Sequence, residues 1–333
     1  MSPDEAAQTY INHKKVRGEY TASTLQEHKY SLRRFREWCE EENITNMNQV
    51  TGRSIATFAD WRGESVAPAT VKTDLDRIRV FIRYCENIEA APQGVADKIN
   101  SPNLSNDEEA RDVRVTAPEA EAILEYLENA EYGRFKHVLF YVLWHTSMRM
   151  SEARALDVDD LKYDRGQPYL DVRHRPERGT PLKNKARGER EVALNPTAEE
   201  LIQAWLEFHR PNTTDEYGRE PLFATSQGRA WKTTIQRNIY QITRPCIYSG
   251  DCPHGRDQEN CEAMGYNTAS KCPSSKSPHT IRRGSIQKAL NNQAKKENVS
   301  DRANVSVQVL DKHYDTQEKK ERRRRRLSDI DKF

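Results

Sequence analysis

No apolar run in this chain approaches the roughly 20 residues needed to cross a bilayer. Hydrophobic types make up 35% and charged types 31% of the 333 residues, and the mean hydropathy is −0.96. These values exclude a membrane-spanning protein and imply a very polar, soluble one. The opening MSPDEAAQTY is acidic and polar, without the basic and apolar regions of a secretory signal, so a cytoplasmic location is expected. An excess of one charge is also missing. The formal net charge is +2, which argues neither for nor against nucleic acid and leaves the question to local clustering. Cysteine is scarce, with six residues and no C-x-x-C knuckle among them.

Two of the cysteines, Cys39 and Cys85, fall on amphipathic helical patterns and read as core. The other four, Cys246, Cys252, Cys261 and Cys272, crowd into one segment poor in core residues. Without an export signal, a structural zinc clip is a better reading than a disulfide framework, and His254 could replace one thiolate.

The length suits two domains. Residues 1–92 read as a small helical bundle. Ser23 and Gln26 have capping-box spacing ahead of a helix with Leu25, Leu32, Phe35 and Cys39 on one face. A shorter helix follows over GRSIATFADWRG. The next carries Val71, Leu75, Ile78, Ile82 and Cys85 as its apolar stripe. Arg33, Arg34 and Arg36 on one helix, and Lys72, Arg77, Arg79 and Arg83 on another, either face phosphates or form a solvated surface. Residues 93–112 are rich in Pro, Asn, Ser and charge and read as a linker.

The second domain, residues 113–333, opens with a capping-box start at Thr116 and Glu119. A strongly apolar helix, FKHVLFYVLWHT, breaks at TSM, and Arg149 starts the helix MSEARALDVDDL. A helix start favours anions through its free N–H groups and dipole. The alternative is a structural ion pair between Arg149 and Glu152. PYLDVR and GEREVALN alternate as hairpin strands around a basic tip bearing Lys183 and Lys185. TAEELIQAWLEFHR is an amphipathic helix with Leu201, Ala204, Trp205 and Phe208 inward, and EPLFAT is a short strand or extended link. The Cys-rich insertion, about 246–275, precedes SPHTIRRGS, where His279 and Arg282 stand three apart on a helix face. Tyr314 comes late in VLDKHYDT, ahead of five consecutive arginines, Arg322 to Arg326. A phenol ionises only near a pKa of about 10, so a reactive Tyr314 needs cations supplied from upstream.

An arginine at a helix start, hairpin lysines, H-x-x-R and a late tyrosine occur here in that order. On these residues the chain resembles the tyrosine recombinase (phage integrase) family over essentially its whole length. The Cys-rich insertion and the ending VLDKHYD look most like archaeal integrase-type members. The resemblance implies a mainly α fold with a small β-sheet (α+β), a helical core-binding (SAM-like) domain and a catalytic domain. It implies a site-specific DNA recombinase working through a 3′-phosphotyrosyl intermediate. Arg149 and Arg282 would clamp the scissile phosphate, with Lys183, or its competitor Lys185, protonating the leaving 5′-oxygen. His279 would assist proton transfer, and Tyr314 would attack phosphorus. No nucleotide cofactor or catalytic metal is implied. The implied partners are double-stranded DNA and three further copies, a homo-tetramer on two DNA sites. One departure stands out: the family usually has His or Trp, after a glycine, nine or ten residues before the tyrosine. Here Asn304 or Val305 occupies that place, and Asn304 could still hydrogen-bond a phosphate oxygen. His313 is a further candidate auxiliary. The alternative is a catalytically decayed, integrase-like DNA-binding protein.

Overall fold

The computed structural model describes residues 1–104 and 113–313. Tyr314, the arginine run Arg322 to Arg326 and part of the expected linker lie outside the described residues. The chain divides into two compact units, Met1–Asp112 and Val113–Phe333. It is mainly helical, with a three-stranded and a two-stranded sheet. Among the described residues, no helix is long and apolar enough to cross a membrane.

The first unit is built from helices α1 (Pro3–Val16), α2 (Ala22–Glu41), α3 (Gly52–Gly63) and α4 (Pro68–Asn87). Tyr10, Phe35, Trp38, Phe58 and Phe81 are fully buried between them, in tilted and edge-on contacts. The α4 stripe of Val71, Leu75, Ile78, Ile82 and Cys85 is buried as its spacing predicts, although on α2 Leu25 is only partly so. Burial pushes the Cys39 and Cys85 thiols up to about 12, as expected of core cysteines. The α2 start differs from expectation: Thr21, not Ser23, is the cap, and its hydroxyl accepts from the Thr24 N–H. The expected linker also begins too early, because Val95, Ala96 and Ile99 are buried in this unit's core. A short 3₁₀ turn, Ala96–Lys98, aligns Ala96 with Ile99 three residues on, where the helical and strand periods sought in the sequence do not apply. Each basic residue singled out on α2 and α4 has a carboxylate partner: Arg34 reaches Glu37 at 2.7 Å and Arg77 reaches Glu27 at 2.6 Å. Arg33, Arg36, Lys72, Arg79 and Arg83 are likewise paired, which describes a solvated ionic surface.

The second unit places α6 (Phe135–Thr146) at its centre, against α5 (Ala117–Ala130), α8 (Pro196–Ala204) and α11 (Pro278–Asn291). The capping box at Thr116 forms as predicted, with the Glu119 carboxylate taking the Thr116 N–H at 2.7 Å. The expected helix MSEARALDVDDL stops early, giving α7 (Met150–Ala155). Asp160 takes the Asp157 N–H at 2.8 Å, and this local bond turns the chain into strand β1 (Leu161–Asp164), which sequence reading missed. β1 pairs antiparallel with β2 (Gln167–Val172), and β2 with β3 (Arg190–Ala193). Phe208 is 68% exposed, contrary to expectation. After α8 the helix widens into a π turn, Trp205–His209, which moves Phe208 off the face that buries Leu201 and Trp205. β4 (Ala224–Thr225) and β5 (Gly228–Arg229) form a short ribbon. They lead into α9 (Lys232–Ile242), a helix the sequence reading passed over, and α10 (Pro245–Tyr248). α12 (Lys296–Ala303) and α13 (Val307–His313) close the described chain. Val299, Ala303 and Leu310 from these helices pack on Ile286 and Leu290 of α11, forming a cluster separate from the main core.

Candidate active site

The polypeptide places Arg149 by an abrupt break. α6 ends at Ser147, whose left-handed φ of 55° turns the chain, and Arg149 caps α7 two residues on. The Arg149 N–H donates to Glu152 Oε2 and its Nη1 to Oε1, both at 2.8 Å. Glu152 is 1% exposed and also receives Arg190 Nη2 at 2.9 Å. Burial alone would raise the Glu152 carboxyl. The Arg190 charge and the Arg149 contacts outweigh that effect and hold it below the usual carboxylate range. The structural ion pair weighed from the sequence is therefore real, and it fixes the guanidinium in the same act.

Arg282 approaches from α11. Its side chain is buried, and Nη1 donates to the Ser147 carbonyl at 2.6 Å, so both arginines are organised around one turn. α11 sits close enough for this because Gly284 lies against Val115; a Cβ there would stand 1.8 Å from the Val115 oxygen. The Ser285 and Ser147 hydroxyls meet at 2.6 Å and reinforce the contact.

His279, in the first turn of α11, presents an exposed edge to solvent, while the protein around its ring still limits hydration. That partial burial lowers its pKa, and the charges of Arg282, Arg283, Lys183 and Arg149 lower it further. Arg149 and Lys183 line one groove, Arg282 shares the Ser147 turn with Arg149, and the charges of all three bear on His279. Lys185 lines the same groove of about 1090 Å³ as Arg149 and Lys183. Lys185 opens a short 3₁₀ turn with φ 53°.

Asn304 also lines this groove. It ends α12 in the left-handed conformation, and its carbonyl accepts Arg149 Nη2 at 2.9 Å. Its side-chain amide is bound at both ends by the β2–β3 connection: Asn184 donates to it at 2.6 Å, and it donates to the Arg187 carbonyl at 2.9 Å. Val305 is the next residue in the groove. His313 ends α13, and Tyr314, the next residue, lies outside the described residues. Sequence reading missed Ser147, Asn184 and Arg190. Without a known hairpin length, nothing distinguished Asn184 from an ordinary turn residue.

The four clustered cysteines do not close into a ligand set. Among the described residues, no group of three or more His, Cys, Asp or Glu is arranged to hold a metal ion. Burial raises the Cys246 thiol; the Arg244 charge opposes this, and Cys252 and Cys272 add to it, but Cys261 takes no part. His254 is engaged by Ser274 at 3.0 Å. The segment is held by other means: buried Arg244 donates to the Ala263 carbonyl, Lys276 pairs with Glu119, and Ala263, Ala269 and Cys272 are buried. The residues as placed do not fit the zinc clip expected from the sequence.

Two protein-family models match the chain: the phage integrase family over residues 113–246 and the phage integrase N-terminal SAM-like domain over residues 7–87. A probable site-specific recombinase in the afa region of Escherichia coli is 31% identical over 131 residues, covering 36% of this chain and 47% of that protein. The match thus spans about half the length of that curated relative. The Tn1549 transposon integrase in complex with transposon right end DNA is 13% identical with a TM-score of 0.66, covering 98% of this chain and 99% of that one. A lambda integrase dimer bound to a COC′ core site is 13% identical with a TM-score of 0.64, over 96% and 100%. XerH site-specific recombinase bound to a palindromic difH substrate is 16% identical with a TM-score of 0.63, over 93% and 80%. At such identities the structural likeness is one of fold.

Proposed function

Because the chain belongs to the phage integrase (tyrosine recombinase) family in both of its units, we propose that it is a site-specific DNA recombinase that cuts and rejoins strands through a 3′-phosphotyrosyl link at Tyr314. The observation that carries this reading is that Arg149 and Arg282 are organised around one turn at Ser147, with Lys183 lining the same groove as Arg149. A phosphodiester under attack gathers negative charge on its non-bridging oxygens, and two anchored guanidiniums are suited to bind them. The Tyr314 oxygen bonds to phosphorus as the bond to the 5′-oxygen breaks. His279, kept neutral by its surroundings, takes the phenol proton, and Lys183 gives a proton to the leaving oxygen. Lys183 is favoured over Lys185 because it directly precedes Asn184, which the Asn304 amide anchors. The link conserves the energy of the broken bond, so a second 5′-hydroxyl can reseal the strand. So written, the reaction calls on no nucleotide or catalytic metal, and no step involves the cysteine segment.

The substrate is double-stranded DNA, and the working assembly is a homo-tetramer on two sites in the cytoplasm. The solved structures of similar fold include integrase–DNA complexes and a lambda integrase tetramer bound to a Holliday junction, which supports this reading. We further propose an affinity to archaeal integrase-type members, on the Cys-rich insertion and the ending VLDKHYD.

The test is a nicked duplex carrying the chain's own recombination site, recovered by selection from fragmented genomic DNA. A denaturation-resistant adduct mapping to Tyr314, and lost in Tyr314→Phe with binding retained, is expected. Tight binding by the unaltered chain with no adduct refutes the enzyme and favours the decayed DNA-binding protein.

A further inference from the structure

Asn304, or Val305 after it, stands where the family resemblance leads one to expect a His or Trp, and the surroundings of Asn304 give it a different task from contacting phosphate. Both ends of its amide are used within the protein. The Arg187 carbonyl can only accept, so the amide nitrogen faces it at 2.9 Å. The amide oxygen is thereby turned to Asn184 Nδ2 at 2.6 Å. Asn184 immediately follows Lys183, and the preceding residue, Leu182, is 3% exposed and locked in the core. Leu182 N–H is further tied to His174 Nδ1 at 2.9 Å. Lys183 is thus an exposed cation between two fixed neighbours, one held by the core and the other by Asn304.

The backbone of Asn304 does a second job. At φ 50° and ψ 62° its carbonyl is turned to Arg149 Nη2, at 2.9 Å. Asparagine suits this place because it tolerates left-handed backbone and its short amide both donates and accepts.

We propose that Asn304 is a positioning residue that latches the Lys183-bearing connection onto the turn holding Arg149, setting the proton donor at a fixed distance from the clamped phosphate. This inference rests on the recombinase reading above. Asn304 acts through Lys183, so its loss matters only where the leaving oxygen needs a proton.

The test compares single-turnover cleavage of two nicked duplexes, one with an ordinary scissile phosphodiester and one with sulfur in place of the bridging 5′-oxygen. A thiolate departs without being protonated, so the sulfur substrate makes no demand on Lys183. Asn304→Gly, which keeps the left-handed backbone accessible, and Asn184→Ala should each slow cleavage of the ordinary substrate. The expected loss is roughly tenfold to thirtyfold for Asn304→Gly, which removes two neutral hydrogen bonds, and roughly threefold to tenfold for Asn184→Ala, which removes one. Both variants, like Lys183→Ala, should regain the unaltered chain's rate on the sulfur substrate. Equal slowing on both substrates overturns the latch and returns Asn304 to phosphate contact or a purely structural role. An unchanged rate on the ordinary substrate overturns it as well. No rescue of Lys183→Ala by sulfur overturns the assignment of Lys183 and the latch together. If the unaltered chain forms no adduct on either substrate, the recombinase reading itself fails.

Discussion

Gly284→Ala puts two physical effects in opposition, and the structure decides between them. Gly284 is interior to α11, where alanine is worth about 0.5–1 kcal/mol more than glycine. On propensity alone the substitution stabilises. The added Cβ, however, would stand 1.8 Å from the Val115 oxygen, 2.9 Å from its carbon and 3.0 Å from Trp144 Cζ3. A carbon–oxygen contact relaxes only near about 3.3 Å, so helix and backbone must part by roughly 1.5 Å. Val115 N–H donates to the Thr280 carbonyl of the same helix at 3.1 Å, and that separation breaks the bond. Overpacking of this kind costs about 1–3 kcal/mol and the hydrogen bond about 1 more. After subtracting the propensity gain, a net loss of about 2–3 kcal/mol is expected. For a unit of this size that lowers its melting temperature by about 5–10 °C in scanning calorimetry. The same displacement moves Arg282, two residues away, off the Ser147 carbonyl, and an error of about 1 Å can cost about a hundredfold in rate. A melting temperature equal to or above that of the unaltered chain would refute the close approach, leaving propensity as the only effect at this position.

Removing the Glu152 carboxylate leaves two guanidiniums, Arg149 and Arg190, without their shared partner. Glu152→Ala should therefore destabilise the second unit by about 3–5 kcal/mol in urea titration. The folded pKa of Glu152 is depressed, so its contribution is complete above the unfolded value of about 4.3 and is lost as pH falls through the lower folded value. Glu152→Gln should flatten the acid limb of the stability profile; an unchanged limb assigns acid sensitivity elsewhere. In an NMR titration of the free protein, the His279 midpoint should lie below the ordinary imidazole value of about 6.5. Lys183→Ala should raise it, because that cation lowers the His279 pKa; an unchanged midpoint would separate Lys183 from His279.

Much of the fold could be read from sequence where one period dominates. The apolar helix Phe135–Thr146, the Thr116 capping box and the α4 stripe form as predicted because local propensity and burial agree there. Reading failed where a side chain or an irregular turn overrode the period. Examples are the aspartate-capped turn after Ala155, the π turn that exposes Phe208, and the 3₁₀ turn that buries Val95 and Ala96. The candidate site was legible only as residue types in a given order; of these, Arg149 and Lys183 share a groove and Arg149 and Arg282 share the Ser147 turn although they lie far apart in the chain. What holds them was not: the Ser147 turn, the Gly284 contact and the Asn184–Asn304 bridge are long-range contacts with no periodic trace. The cysteine segment shows the reverse case, in which crowding along the chain does not translate into a ligand set in space.

The small cluster that seats α12 and α13 has a consequence for timing. Only Val299, Ala303 and Leu310 are buried from these helices, against Ile286 and Leu290 of α11 and apart from the main core. So few apolar contacts make a cooperative unit that opens at a lower free energy than the unit it rests on. Its amide protons should exchange with solvent before those of Phe135–Thr146, without global unfolding. Tyr314 follows α13 in the sequence, so on the recombinase reading proposed above the attacking residue belongs next to the element that opens first, while Asn304 at the end of α12 stays bonded to Arg149. On that reading, a late-seating α13 would let the reaction wait until its other partners are in place.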